Sequence, residues 1–549
     1  MPPAMCYSPP MRFFIERRPR PFIWALAIAG AVIAAGATKV IDFDVWWHLK
    51  TGEVIWLWKS IPRFDIFSYT AAGAYWMNGE WLHQVLVWLI FNTAGFASLT
   101  ALKFLLTAGI VYFFYRTMRL FLDSTSAAMW GTMILLIGIA DRISDRPYLF
   151  TSLFIALFCL ELNRFSRAKR KALWALPLLQ VLWINLHGGG AFGPQLVLAF
   201  ALGESIQLYF GGTTLGWQKV RHLWLVGLAC VAACMLNPFG VEVILFPLDI
   251  FHRMTAILAY TQEWLPVLDP RYDIVVSQIV FRAVLVLVLV SYIVGRRRAK
   301  FAHLMLTILT SIMILKGRRF TADFIIVNLP IAFFNLKGTA AKIRLPASEG
   351  RLRSWGHLFA IFGLSAFLLS HGFPATLKGG VTGELGVGTT QAFAQEGMID
   401  FLQEHDIRGR MFNEMGLGGY LIFRLWPETR VFIDGRTPVY GDDFYRRFID
   451  AFQLARNFED LDRQWGFDYL LFKSDSAWNM RYLHKYLWEH PKWRLVYADP
   501  AEGFVYLKDE PKFKKLIAEL TLKEHPLMEY MKQQEKKPPQ VPADTGDKK

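Results

Sequence analysis

The feature that most constrains this chain is the recurrence of apolar runs close to bilayer length. Phe22–Ile41, Ile274–Val294 and Phe301–Leu315 each carry at most one Lys or Arg, and about 20 consecutive apolar residues in a helix cross the hydrocarbon core of a membrane. Composition points the same way. Of 549 residues, 54% are hydrophobic, 15% aromatic and only 19% charged, with 20 Trp and 45 Phe, where an average soluble domain is about 25% charged. Length alone would suggest several soluble domains; the apolar runs replace that reading with an α-helical polytopic membrane protein. The formal charge of +15, from 60 Lys+Arg against 45 Asp+Glu, is accounted for by basic residues flanking spans, so no nucleic acid is expected as a partner. The four cysteines, Cys6, Cys159, Cys230 and Cys234, show neither metal spacing nor a disulfide framework. Cys230 and Cys234 read as small buried hydrophobes one helical turn apart.

Loop charges set an orientation. Arg12, Arg17, Arg18 and Arg20 precede a first span too long for a cleavable signal, so residues 1–20 form a basic cytoplasmic N-terminus and Asp42 emerges on the far side. Residues 42–98 form a long first outer loop, rich in Trp and broken at Pro62 and Gly73, whose helices suit the membrane interface. Spans then alternate over Ala101–Tyr115, Ala127–Ala140, Tyr148–Leu162, Ala172–Leu186, Phe192–Phe210, Leu223–Leu236, Ile274–Val294, Phe301–Leu315, Ala322–Phe334 and Leu358–His371. The total is about eleven, and the strongly basic loops at 164–171, 296–300 and 337–353 fall on one side. The transmembrane domain is thus 21–371, followed by a Gly-rich linker at 372–394. Residues 395–510 alternate helical stretches (Gly397–His405, Asp442–Leu454) with short apolar runs (Arg430–Ile433, Tyr469–Phe472) and a closing hairpin (Trp493–Ala498, Phe504–Leu507). That pattern predicts a small α/β domain, extracytoplasmic by the charge rule. The tail, 511–549, is polar and partly disordered in character.

Under this topology the polar motifs collect on the outer face. Asp42 and Asp44, two residues apart after the first span and followed by Trp46, Trp47 and His48, could supply a base or hold a divalent cation; the alternative is solvated carboxylates at a span end. Arg146, Arg318 and Arg319 stand at outer span ends against the charge rule, and the arginine fork matches phosphate oxygens. Pairing with Asp141, Asp145 or Asp323, or contact with ordinary lipid phosphates, is their structural alternative. His187, before three glycines, could contact substrate or serve the fold. Glu80-Trp81 and Glu263-Trp264 pair an acid with an aromatic face, which suits saccharides and interfacial anchoring equally. Asp434 and Arg436 straddle Gly435 after an apolar run, at an edge where α/β ligands bind, or as a turn salt bridge. No Walker, G-x-S-x-G, H-E-x-x-H or EF-hand pattern is present.

The run Asp42-Phe-Asp-Val-Trp-Trp-His-Leu-Lys-Thr-Gly-Glu, with Pro62-Arg-Phe-Asp-Ile-Phe-Ser-Tyr-Thr and Gly79-Glu-Trp-Leu, resembles a widespread family of bacterial membrane proteins. Arg146-Pro147, Trp183-Ile-Asn-Leu-His-Gly-Gly, Leu236-Asn-Pro-Phe-Gly, Glu263-Trp264, Arg318-Arg319 and Phe432-Ile-Asp-Gly-Arg carry the same resemblance along most of the chain. In architecture the chain also resembles the GT-C glycosyltransferases, multi-span enzymes with an acidic motif in the first outer loop and often a C-terminal extracytoplasmic domain. That resemblance implies a bacterial cytoplasmic-membrane enzyme moving a sugar from a polyprenyl-phosphate or -diphosphate donor to an extracytoplasmic acceptor. It maps the first-loop base or metal ligand to Asp42 and Asp44, and the chain departs from it in having no W-W-D-x-G motif. Arg146, Arg318 and Arg319 would hold the lipid phosphate, with His48, Glu80, His187, Glu263, Asp434 and Arg436 as further substrate contacts. The other readings are a non-catalytic envelope assembly protein and a transporter of lipid-linked substrates. The transporter reading requires midplane charges and repeat symmetry that the sequence lacks.

Overall fold

Apolar stretches become helices wherever the sequence interrupts them with turn chemistry. The structure, a computed structural model, describes residues 19–212, 215–267, 269, 275–337, 351–371, 384–389, 394–474, 476 and 480–528. Arg12, Arg17, Arg18, Cys6, most of the 372–394 linker and the end of the tail lie outside the described residues. The chain divides into two compact units. One, here the helical unit, comprises Met1–Asp42, Thr51–Ile61 and Met77–Thr389; the other, the mixed unit, comprises Phe43–Lys50, Pro62–Trp76 and Thr390–Lys549. The mixed unit therefore includes two pieces of the segment that sequence analysis assigned to the first outer loop.

In the helical unit, α1 (Pro21–Gly36) begins with Pro at its first position, where the missing N–H costs no hydrogen bond. The helix α2 (Asp44–Trp58) contributes its first residues to the mixed unit and the remainder to the helical one. Then follow α3 (Trp81–Ala94), α4 (Phe96–Phe121), α5 (Thr125–Gly138), α6 (Tyr148–Ser166), α7 (Ala175–Leu186), α8 (Phe192–Tyr209) and α9 (Trp217–Cys234). Two short helices, α10 (Glu242–Arg253) and α11 (Thr255–Tyr260), lead to α12 (Val276–Val294), α13 (Phe301–Lys316), α14 (Thr321–Leu336) and α15 (Arg351–His371). Ser124 caps α5 by accepting from the Ala127 amide. Helices lie at each of the segments expected to span. Among the described residues, four stretches, Phe96–Phe121, Tyr148–Ser166, Val276–Val294 and Arg318–Leu336, are long and apolar enough to cross a bilayer by length and composition, and α1, α5, α7 and α13 are shorter apolar helices. The protein is a multi-pass membrane protein.

The helical unit packs α1 against α15, α4 against α6, α8 against α9 and α13, and α12 against α14. Its core contains Trp24, Phe114, Phe158, Phe165, Trp183 and Phe200, all essentially inaccessible. Polar side chains within it bond across helices: Thr307 of α13 donates to Asn328 Oδ1 of α14 at 2.6 Å, and Asn328 Nδ2 donates to Thr310 at 2.8 Å, the inter-helical bonding that apolar surroundings favour.

The mixed unit holds a four-stranded sheet: β1 (Met411–Asn413), β2 (Tyr469–Lys473), β3 (Trp493–Asp499) and β4 (Gly503–Lys508), in the order β1-β2-β4-β3. β1 and β2 are parallel, with Met411 opposite Tyr469, and β3 and β4 form the expected hairpin. Helices α16 (Glu396–Glu404), α17 (Met415–Leu425), α18 (Thr437–Tyr440), α19 (Asp442–Asp450), α20 (Ala455–Trp465), α21 (Arg481–Glu489) and α22 (Lys514–Leu520) complete it. The run at Arg430–Ile433, expected as a strand, instead makes a single bridge among the described residues. Val431 pairs with Ser68 of the 62–76 segment through backbone bonds to Phe67 and Tyr69.

Candidate functional site

Turns at the ends of the helices in the helical unit bring five charged residues into contact. Asp42 follows α1. Arg142 closes a 3₁₀ turn after α5, and Arg146 stands just before Pro147 at the entry to α6. Glu263 lies in the 3₁₀ turn Gln262–Trp264, and Arg319 in the 3₁₀ turn Arg318–Phe320 between α13 and α14. Arg146 donates from Nε to Asp42 Oδ2 at 2.5 Å, and its Nη1 reaches Glu263 Oε2 at 3.4 Å. Arg142 Nη1 lies 3.1 Å from the same Oε2, and Arg319 Nη1 lies 3.6 Å from Oε1. Three guanidiniums thus surround one carboxylate. Burial pushes the Glu263 carboxyl upward, but Arg319, Arg146 and Arg142 together outweigh it and hold the group well below the usual carboxylate range. Arg319 also lies over the Trp264 ring at 4.2 Å, and Arg142 over Tyr148 at 4.1 Å. Arg142 Nε is buried without a hydrogen-bond partner among the described residues.

His187 caps the next turn. It closes α7, and its Nδ1 accepts from the Gly189 amide at 3.2 Å and lies 2.7 Å from Thr151 Oγ1. Thr151 in turn receives the Trp183 indole N–H at 2.8 Å. The other ring nitrogen, Nε2, stands 3.5 Å from Glu80 Oε1. Burial, with the positive charge of Arg319 adding to it, lowers the imidazole to about 3, so the ring is neutral.

Arg318 and Arg319, expected to act together with Arg146, do not face one point, nor does neighbouring Lys316. Lys316 lies over Phe251, Arg318 reaches Asp141 at 3.9 Å, and only Arg319 joins Glu263. Arg142 escaped sequence analysis, because between Asp141 and Asp145 it reads as one more solvated charge of a loop. A second omission is Lys103, whose side chain is buried inside α4 and bonds Asp145 at 2.8 Å and the Lys39 carbonyl at 3.0 Å. A lysine near the start of a 26-residue helix whose other charges, Arg116 and Arg119, lie towards its end was the available signal.

In the mixed unit Asp44 accepts from the Trp47 indole at 3.1 Å and lies against Gly435, where an added Cβ would fall 2.2 Å from Asp44 Oδ1. His48 lies beside Trp47, with ring centroids 3.7 Å apart and the planes tilted by 32°. Asp434 and Arg436 form a buried bidentate pair, with Nε to Oδ1 at 2.8 Å and Nη2 to Oδ2 at 2.6 Å. The same guanidinium reaches Asp65 at 2.6 Å and lies against both the Phe67 and Trp76 rings, at 4.9 and 4.6 Å from their centroids. Tyr440 donates to Asp434 at 2.6 Å. Burial opposes the guanidinium charge, but Asp434 and Asp65 outweigh it and raise the Arg436 pKa further.

The donor set does not fit a resident divalent cation. Asp42 Oδ2 already receives Arg146 and, at 3.3 Å, Ser144, Asp44 receives an indole N–H, and among the described residues no three His, Cys, Asp or Glu side chains gather as ligands.

No protein-family model matches the chain, and no curated protein matches it in sequence. Solved structures do. The archaeal oligosaccharyltransferase AglB from Archaeoglobus fulgidus, in complex with an inhibitory peptide and a dolichol-phosphate, aligns over 89% of this chain and 75% of its own at 12% identity, with a TM-score of 0.58. The apo form of the same organism's oligosaccharyltransferase aligns with a TM-score of 0.51 over the same shares at 13% identity. ArnT from Cupriavidus metallidurans in the apo state aligns over 92% of this chain and 98% of its own at 11% identity, TM-score 0.51. The fold is GT-C-like. At these identities the likeness speaks to architecture, and the chemistry must be argued from the residues.

Proposed function

We propose that this protein is a membrane glycosyltransferase that moves a sugar from a polyprenyl-phosphate or -diphosphate donor to an acceptor hydroxyl. The observation that carries the reading is the convergence of Arg142, Arg146 and Arg319 on the single carboxylate of Glu263. Guanidinium N–H groups gathered around one anionic centre are the arrangement that would receive phosphate oxygens. When the sugar–phosphate bond breaks, negative charge grows on the phosphate oxygen. Cations fixed in place by their ion pairs stabilise that charge without reorganising. The likeness to an oligosaccharyltransferase captured with a dolichol-phosphate, itself an isoprenoid phosphate, supports the choice of ligand.

Asp42 and Asp44 are the candidate bases. Arg146 keeps the Asp42 carboxylate beside the arginine cluster, where it would take the proton of the attacking hydroxyl while the same arginine shares the leaving charge. The C-terminal region is proposed to face the extracytoplasmic side, with the acceptor approaching from there.

Transfer from a polyprenyl-phosphate-linked sugar by the purified full-length protein tests the reading. Arg146→Gln and Asp42→Asn are each expected to reduce turnover by about a hundredfold or more. Full-rate transfer by Asp42→Asn and by Asp44→Asn would remove the base assignment. Undiminished binding of polyprenyl phosphate by a variant lacking Arg142, Arg146 and Arg319 together would remove the phosphate site.

A further inference from the structure

The bonds at His187 fix which ring nitrogen carries the proton. The Gly189 amide can only donate, and it points at Nδ1 from 3.2 Å. With Nδ1 thus an acceptor, its 2.7 Å contact with Thr151 Oγ1 is made by the threonine hydroxyl as donor, while that oxygen accepts the Trp183 indole N–H at 2.8 Å. Two donors on Nδ1 leave the single proton of the neutral ring on Nε2. Nε2 faces Glu80, 3.5 Å away, and Glu80 is a quarter exposed while the histidine is mostly buried. The ring cannot swing without losing both Nδ1 bonds. Gly189 is part of the lock: a Cβ there would fall 2.6 Å from His187 Nδ1 and 2.7 Å from Thr151 Oγ1.

A neutral N–H donor and a carboxylate acceptor side by side form the complement of a hydroxyl group, which accepts from one and donates to the other. Neither a phosphate oxygen, which has no proton to give Glu80, nor an ammonium, which cannot accept from Nε2–H, satisfies both. We propose that His187 and Glu80 form a subsite for a hydroxyl of the donor's saccharide, and that Thr151 is the positioning residue that sets it. This rests on the glycosyltransferase reading, because it takes the arginine cluster for the phosphate and this pair for the sugar attached to it.

The test compares two probes on the full-length protein in lipid nanodiscs: bare polyprenyl phosphate, and the same lipid carrying one hexose. The wild type is expected to bind the sugar-bearing lipid more tightly than the bare one. Thr151→Val, Glu80→Gln and His187→Asn should each weaken the sugar-bearing lipid about tenfold and leave the bare lipid unchanged. Thr151→Ser, which keeps the hydroxyl, and His187→Gln, whose amide N–H can take the place of Nε2–H, should restore the difference. Equal losses on both probes would make the pair part of the phosphate site and overturn the proposal while leaving the glycosyltransferase reading intact. No loss on either probe, in variants that elute and melt like the wild type, would overturn it as well. Failure of the wild type to bind either lipid would fell the underlying reading, and this one with it.

Discussion

Arg146 is held by Asp42: its Nε donates to Oδ2 at 2.5 Å, and the carboxylate is nearly buried while the arginine keeps about a third of its surface. Because the same guanidinium also reaches Glu263, its removal leaves two carboxylates without that partner. Arg146→Met should therefore destabilise the protein by roughly 1–3 kcal/mol, the cost of stranding a buried charged group, and Asp42→Asn in the same background should recover part of it. Thermal melts of the two single variants and the double variant give the coupling; strictly additive effects would contradict the pairing.

Glu263 is the carboxylate on which three arginines converge, so Glu263→Gln removes the charge and leaves the cations facing one another. Affinity for inorganic pyrophosphate should rise several-fold while the melting temperature falls, read by calorimetry on one preparation. The pH dependence follows from the lowered pKa. Stability from the ionised carboxylate is fully present above its unfolded value of about 4.3 and fades only as pH drops through the lower folded value. Neutralising Glu263 by mutation should thus cost the protein at pH 5–8, where acidification alone does not.

Two neighbouring glycines make opposite predictions. At Gly188 an added Cβ meets nothing within 4 Å, whereas at Gly189 it collides with His187 Nδ1 and Thr151 Oγ1. Gly188→Ala should leave sugar transfer within about twofold of wild type. Gly189→Ala should lower it about tenfold or more, with a stability loss of about 1–3 kcal/mol from forced repacking.

In the mixed unit, buried His484 and His525 both bond the Tyr506 hydroxyl, at 3.0 and 2.6 Å, and burial lowers them to about 3 and about 4. An unfolded imidazole titrates near 6.5. Above that pH both rings are neutral in either state and their contribution is complete. Between pH 6.5 and about 4 the unfolded chain binds protons that the folded one refuses. Stability therefore falls by about 1.4 kcal/mol per pH unit for each histidine. Hydrogen exchange of the β2 and β4 amides in the full-length protein, compared at pH 7 and pH 5, should show the loss, and His525→Gln should roughly halve its slope.

Much of the helical unit was legible because long apolar runs have few alternatives: α6 begins at the expected Tyr148 and α8 at the expected Phe192. The hairpin of β3 and β4 was legible for a similar reason, as two apolar runs close in sequence. What escaped detection depended on partners far along the chain. β1 has three residues, too few to show alternation, and it is a strand because β2 lies beside it. Arg430–Ile433 has strand composition, yet its one bridge is to Ser68. Arg142 and Asp65 look like ordinary loop charges until Glu263 and Arg436 are placed beside them, which no local pattern encodes. Asp42, Arg146, His187 and Glu263 could be singled out because charge and glycine at the end of an apolar run are costly without purpose.

The buried clasp of Asp65 with Arg436 also constrains how the protein is made. Its two sides belong to segments 362 residues apart where Thr70 bonds the Phe432 carbonyl, so the ribosome delivers the first long before the second. Until the later segment arrives, Asp65 has no Arg436 guanidinium to offset its burial, and Phe67 and Trp76 lack the guanidinium that lies against them. The stretch from Pro62 to Trp76 must therefore wait in a solvated form through the insertion of nearly every helix, and a nascent chain stalled before Arg436 should leave it open to protease.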